Sequence, residues 1–255
     1  MTAGNFIHPS SQIDKTVHLG RRVVIGPFVV VEPGVTIGDG CVIDAHAVIR
    51  RGVKLRADNR IHPHVVLGGL PQDLGFKEST RSWLEVGSGN TFREGVTVSR
   101  ASAEEGVTKI GDNNYFMNHS HVGHDCQVGD NNILASGVAL GGFVEVGDRV
   151  FFGGGAMVHQ FCRIGSLAMI RGTSGVSKDV LPFTLVGGLP VKHYRLNTVG
   201  LRRAGINGER YRVLSIAFRR LRHQQGLEDL PETEEIIQLR NWLAVPSKRG
   251  MHGFV

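Results

Sequence analysis

What most limits the possible folds of this chain is an apolar residue at every sixth position. The series runs without a miss through Ile7, Ile13, Leu19, Ile25, Val31, Ile37, Ile43, Ile49, Leu55, Ile61 and Leu67. It reopens at Val86, Phe92 and Val98. It then continues from Ile110 through Phe116, Val122, Val128, Leu134, Leu140, Val146, Phe152, Val158, Ile164 and Ile170 to Val176. A period of six fits neither an α-helix nor an alternating strand. It is the hexapeptide repeat of a parallel β-helix, in which each repeat supplies one short strand and one corner. Three repeats close one coil of about 18 residues, and coils stack ~4.8 Å apart, so residues that far apart in sequence lie above one another.

The composition suits such a coil. Hydrophobic residues make up 41% of the 255 and aromatics only 7%, which fits a narrow interior of Ile, Val and Leu. Many of the 35 glycines fall at corners, as in Ile37-Gly38-Asp39-Gly40, where a turn needs positive φ. The pattern breaks at residues 69–85 and, in a shorter polar stretch, at 100–109. Both breaks read as loops ejected from a rigid scaffold, where function often sits. After Pro182 the period disappears. Tyr211, Leu214, Ile216, Phe218 and Leu221 then fall close to a helical stripe. A second helix is expected over 231–244, with Pro231 at its start and Ile236, Ile237, Leu239 and Trp242 as apolar contacts. The expected architecture is mainly β, with residues 1–190 as the β-helix and residues 191–255 as a small α-helical domain.

The formal charge of +6 suits an acidic protein or a phosphate-bearing ligand. No basic stretch is interleaved with aromatics, so nucleic acid is not an expected partner. Three scattered cysteines, Cys41, Cys126 and Cys162, argue for a reducing compartment rather than a disulfide framework. The opening MTAGNFIHPS lacks the regions of a signal peptide, and no apolar run approaches the ~20 residues that span a bilayer. A cytoplasmic protein without stable membrane insertion is expected.

The densest ionisable group in the repeats is His119-Ser120-His121-Val122-Gly123-His124-Asp125. Counting coils from His124 leads to Gly142 and then to Gln160, beside His159. A histidine can take a proton from a hydroxyl or amine near neutral pH. A glycine N–H can approach a developing oxyanion closely. Together these are the requirements of acyl transfer. Two other chemistries deserve weighing. His119 and His124 have the spacing of zinc ligands in β-helix carbonic anhydrases. The upstream segment WLEVGSG offers no third histidine, so no metal is expected. Cys126 or Cys162 as a nucleophile is the other, but isolated cysteines in apolar repeats are usually core fillers.

The motifs HVGHDC at 121–126, VHQFC at 158–162, PQDL at 71–74 and LNTVGLRRAGI at 196–206 resemble the UDP-N-acetylglucosamine O-acyltransferase family of lipid A synthesis, over essentially the whole chain. The resemblance implies a left-handed β-helix, a homotrimer with active sites between subunits, and no cofactor. It implies transfer of an (R)-3-hydroxyacyl chain from the phosphopantetheine of acyl carrier protein to the sugar 3-position, without a covalent enzyme intermediate. By the same resemblance His124 is the general base, Asp125 orients it, and the Gly142 N–H holds the oxyanion. His121, His159 and Gln160 line the substrate site. Gln72 and Asp73 meet the sugar, Asn197 and Arg203 reach the nucleotide, and Gly172 limits acyl length. The arginines 202, 203, 210, 212, 219, 220 and 222 are candidate contacts for the acidic partners. The chain departs from the family pattern at Ser99 and Phe143, each in place of a histidine, at Gly75 in place of a lysine, and at Gly188-Leu189-Pro190-Val191. Those departures leave two alternatives: a paralogue acting on a 3-amino sugar, or a non-catalytic scaffold that binds lipid precursors.

Overall fold

A computed structural model describes residues 4–255. Successive two-residue strands wind into three parallel sheets of eleven, nine and eight strands. Phe6 pairs with Val24 and Ile7 with Ile25, which sets the stacking at one coil of three repeats. The sixth-position residues point inward: Ile25, Ile43, Phe92, Phe116, Leu134 and Phe152 are fully buried along one wall. Their outward neighbours, such as Val24 and Thr36, stay exposed.

Most corners are two-residue turns whose second residue is driven into the left-handed region. Non-glycine residues adopt it repeatedly, with φ of 57° at Phe28, 60° at Asp125, 61° at Phe143 and 67° at Phe161. L-residues enter this region at a cost of about 1–2 kcal/mol each, so the ladders on both sides of a corner must impose it. The first turn residue faces a milder demand. Proline occupies it at 9, 27, 33 and 63, because its N–H takes no part in the ladder.

One inner corner carries a polar row within an apolar core. Asn59, Asn90, Asn114 and Asn132 are essentially inaccessible. The Asn59 Oδ1 accepts the Asn90 backbone N–H at 2.9 Å, and the Asn90 Oδ1 accepts that of Asn114 at 2.9 Å. The Asn114 Oδ1 in turn accepts the Asn132 N–H at 2.8 Å, and the Asn132 Oδ1 that of Val150 at 2.7 Å.

The excursions are shorter than the broken pattern suggests. Strand Val66–Gly69 runs to the edge of the first, and strand Trp83–Val86 resumes after it, leaving residues 70–82 as the loop. The second comprises residues 100–106, because strand Val107–Ile110 already pairs with Trp83–Val86. Both loops leave the nine-stranded sheet at the corner that faces the eight-stranded one.

The stacking also continues beyond Pro182. Strand Thr184–Gly187 adds in parallel to Met169–Ile170 and pairs antiparallel with Lys192–Leu196, so this hairpin straddles residue 190. Helices α1 (Thr198–Arg203), α2 (Gly208–Arg222) and α3 (Glu234–Ala244) follow. Helix α3 starts three residues after Pro231, because the Thr233 hydroxyl caps the Ile236 N–H at 3.3 Å. Ile236 and Leu239 are buried there, but Ile237 is exposed. A second apolar cluster joins Leu181, Phe183, Leu196 and Leu201 to Leu214 of α2 and Ile236 of α3. Among the described residues, no helix is long and apolar enough to cross a membrane.

Candidate active site

The corner from which both loops spring bears His124. Strand His121–Val122 delivers it as the first turn residue, with Asp125 as the second. The His124 side chain is only 11% exposed. Its Nδ1 lies 2.7 Å from the Asp125 Oδ2. A carboxylate oxygen accepts, so Nδ1 carries the proton and Nε2 is left with a free lone pair. Asp125 is fixed in turn: its backbone N–H donates to the Thr108 Oγ1 at 2.8 Å, and its Oδ2 also receives the Ser102 N–H at 3.0 Å and the Ser102 Oγ–H at 2.7 Å.

One coil on, Gly142 lies against the ring. A Cβ built there would stand 2.6 Å from the His124 Cε1 and 2.7 Å from Nε2. Only a glycine lets the backbone approach the imidazole so closely. Among the described residues no hydrogen bond engages the Gly142 N–H, which occupies the turn position filled by proline elsewhere. Phe143 meets the His124 ring edge-on, with centroids 5.3 Å apart, and stacks on Phe161 at 4.8 Å. The imidazole is therefore walled on one side by apolar rings.

The other expected residues fall into groups. His121, half-buried on the same sheet, shares a 2.8 Å hydrogen bond between its Nδ1 and the Thr97 Oγ1. Burial, and then the neighbouring His124, hold its pKa below the usual imidazole value. His159 and Gln160 are exposed at the next coil of the His124 corner, with the His159 Nδ1 3.1 Å from the Gln160 carbonyl oxygen. Gln72 and Asp73 stand exposed on the first loop, where the Asp73 carboxylate accepts the Gly75 N–H at 2.8 Å. Gly172 is exposed at a different corner, beside Gly154. Its neighbour Arg171 lies over the Tyr194 ring at 5.9 Å.

Asn197 and Arg203 line a cavity of ≈ 620 Å³ with Arg149, Leu167 and Met169. The Asn197 amide is engaged at both ends, donating to the Leu167 O at 2.8 Å and accepting the Gly200 N–H at 3.1 Å as the cap of α1. Of the seven helical arginines, three are neutralised locally. Arg210 pairs with Glu234 and Glu235, Arg212 with Glu209, and Arg220 with Asp229.

The geometry bears on both competing chemistries. His119 follows a strand of the eleven-stranded sheet and sits over Gly95, whereas His124 follows a strand of the nine-stranded sheet. The zinc-like spacing thus places the two on different corners. Cys126 is fully buried, and burial pushes its thiol up to about 12; Cys162 is likewise raised to about 11. A nucleophilic thiolate needs the opposite environment. Sequence reasoning missed Ser102 and Thr108, which lie in or just after the second loop, and Phe161, whose stacking on Phe143 follows from the coil length.

Known proteins resemble this chain along most of its length. A family described as UDP-N-acetylglucosamine O-acyltransferase, domain 2, matches residues 179–252, and a bacterial transferase hexapeptide family matches 34–69 and 108–142. The acyl-[acyl-carrier-protein]–UDP-N-acetylglucosamine O-acyltransferase of Thermodesulfovibrio yellowstonii is 37% identical over 97% of this chain and 99% of its own. Its namesake from Halorhodospira halophila is 42% identical over 87% and 85%. Among solved structures, the UDP-N-acetylglucosamine acyltransferase of Bacteroides fragilis superposes with a TM-score of 0.91 at 33% identity, covering 96% of this chain and 99% of that one. That of Campylobacter jejuni gives 0.90 at 34% identity, covering 98% and 100%. The fold is a left-handed β-helix with a helical C-terminal part, and the chain belongs to the acyl-[acyl-carrier-protein]–UDP-N-acetylglucosamine O-acyltransferase family.

Proposed function

We propose that this chain transfers an (R)-3-hydroxyacyl group from acyl carrier protein to the 3-hydroxyl of UDP-N-acetylglucosamine, the first step of lipid A synthesis. The observation that supports the mechanism best is the pairing, on one corner, of an Asp125-anchored imidazole with an unengaged Gly142 N–H. The free Nε2 of His124 removes the proton from the sugar hydroxyl as its oxygen attacks the thioester carbonyl. The developing negative charge on the carbonyl oxygen is met by the Gly142 N–H. When the tetrahedral intermediate collapses, the C–S bond breaks and the proton on Nε2 passes to the departing sulfur. The products are the ester and the free thiol of the phosphopantetheine arm, so the enzyme returns unchanged without a covalent intermediate.

The remaining residues take supporting roles in the same reading. His121, His159 and Gln160 line the acceptor site, and Gln72 and Asp73 reach the sugar from the first loop. Arg203, on the wall of the cavity beside α1, attracts the diphosphate. Asn197 acts there by capping α1, which fixes the direction of Arg203. Gly172 leaves room for the acyl chain. The exposed placement of Gln72, Asp73 and Gln160 in a single chain is what a site completed by a second subunit of a homotrimer requires. The catalytic test is His124→Ala. Turnover falls at least a thousandfold while the melting temperature stays within a few degrees of the parent. A variant that keeps near-parental kcat refutes the mechanism.

A further inference from the structure

The two interruptions of the repeat behave as one clasp, and its product is the placement of a single serine. The base of the first loop grips the second. The Arg81 backbone N–H donates to the Glu104 Oε2 at 2.9 Å, and the Arg81 guanidinium pairs with both Glu104 and Glu105. The Glu105 N–H returns a bond to the Arg81 carbonyl at 2.8 Å. The Ser82 hydroxyl donates to the Ala101 carbonyl at 2.5 Å, while the Trp83 N–H reaches the Gly106 carbonyl at 2.9 Å. Buried Arg100 ties the two from the other side, its guanidinium over Phe76 and its Nη2 on the Glu78 carbonyl at 3.3 Å. Ser102 lies inside this frame, and both its backbone N–H and its hydroxyl point at the Asp125 Oδ2.

That oxygen therefore receives three donors: the His124 Nδ1–H at 2.7 Å, the Ser102 Oγ–H at 2.7 Å and the Ser102 N–H at 3.0 Å. Asp125 cannot swing without breaking all three. We propose that Ser102 is a positioning residue for acyl transfer, acting on the base His124 only through Asp125, and that the clasped loops exist to hold it there. The inference rests on the reading of His124 as general base. It explains why a seven-residue excursion between strands Thr97–Ser99 and Val107–Ile110 sits one coil below the catalytic turn.

The test is a set of variants of the full-length enzyme, assayed with hydroxyacyl carrier protein and UDP-N-acetylglucosamine. Ser102→Ala lowers kcat about tenfold, the scale set by misplacing a catalytic group by a fraction of an ångström, and leaves KM within about twofold. Ser102→Thr, which keeps the hydroxyl, restores kcat to within about threefold of the parent. The decisive arm is the cycle with Asp125→Asn: the double variant is no slower than Asp125→Asn alone, because the serine has lost the group it acts on. An additive loss in that cycle, a loss confined to KM, or parental kcat in Ser102→Ala overturns the assignment. Where Ser102→Ala lowers the melting temperature, Ser102→Cys reads the same quantity, with similar volume and a weaker donor. His124→Ala is assayed in parallel. An inactive His124→Ala with an additive Ser102 cycle removes this inference alone, whereas an active His124→Ala removes the general-base reading and this one with it.

Discussion

At the scale of single residues, the site depends on how little space lies between two neighbouring coils. Gly142 carries no side chain, and the edge of the His124 ring fills the place where one would be. The ring cannot retreat, since Asp125 holds one nitrogen and Phe143 stands beside it. Gly142→Ala must therefore push the imidazole aside, with no change of backbone region to absorb the strain. We expect kcat to fall about a hundredfold, the price of misplacement by ~1 Å, and stability to fall by about 1–3 kcal/mol from overpacking. Steady-state kinetics and urea unfolding of the same preparation check both. The stacking of His124, Gly142 and Gln160 on one corner was legible in the sequence, because a fixed coil length converts spacing into position. Ser102 was not, because its contact with Asp125 crosses a loop whose length breaks that rule. The role of Asn197 as a helix cap was equally hidden, since it depends on where α1 begins and on a carbonyl at Leu167.

At the scale of elements, the repeat determined strand positions far better than it determined the ends of the excursions. Inward and outward positions follow from the period alone, as at Ile43 and Val42. The loop limits follow from pairing: Trp83–Val86 and Val107–Ile110 extend toward their loops because four consecutive residues of each find partners in the other. The asparagine row shows a stabilising device that hydrophobic periodicity does not reveal, since it lies at a corner between the sixth positions. Each member satisfies a buried backbone N–H on the next coil. Asn114→Ala leaves the Asn132 N–H without its acceptor in a fully buried site, a loss of about 2 kcal/mol. The midpoint of urea unfolding should fall accordingly with an unchanged m-value. A neutral result would mean that the coil shifts to satisfy the N–H elsewhere.

At the scale of the whole molecule, the last residues of the chain close the end of the β-helix and join its core to the helical part. The Asp179 N–H donates to the Gly250 carbonyl at 2.8 Å, and the His252 N–H donates to the Asp179 carbonyl at 3.0 Å. Fully buried His193 accepts the Leu181 N–H on its Nε2 at 3.0 Å, so its Nδ1–H donates to the His252 carbonyl, also at 3.0 Å. A ring used in this way must be neutral, and burial drives the His193 pKa down to about 4; His252 is lowered in the same direction, also by burial. The unfolded chain takes up these protons near the ordinary value of about 6.5. Between the two values the unfolded state binds more protons, so stability rises with pH across that window. It is fully present above pH ~6.5 and is lost as the pH falls toward ~4. For His193 alone the loss between pH 7 and 5 amounts to about 2 kcal/mol. His193→Gln keeps an acceptor and a donor but no titrating group, so its urea midpoint should fall less over the same interval than that of the parent. Equal slopes for the two proteins would show that the closure of this end does not depend on a neutral imidazole.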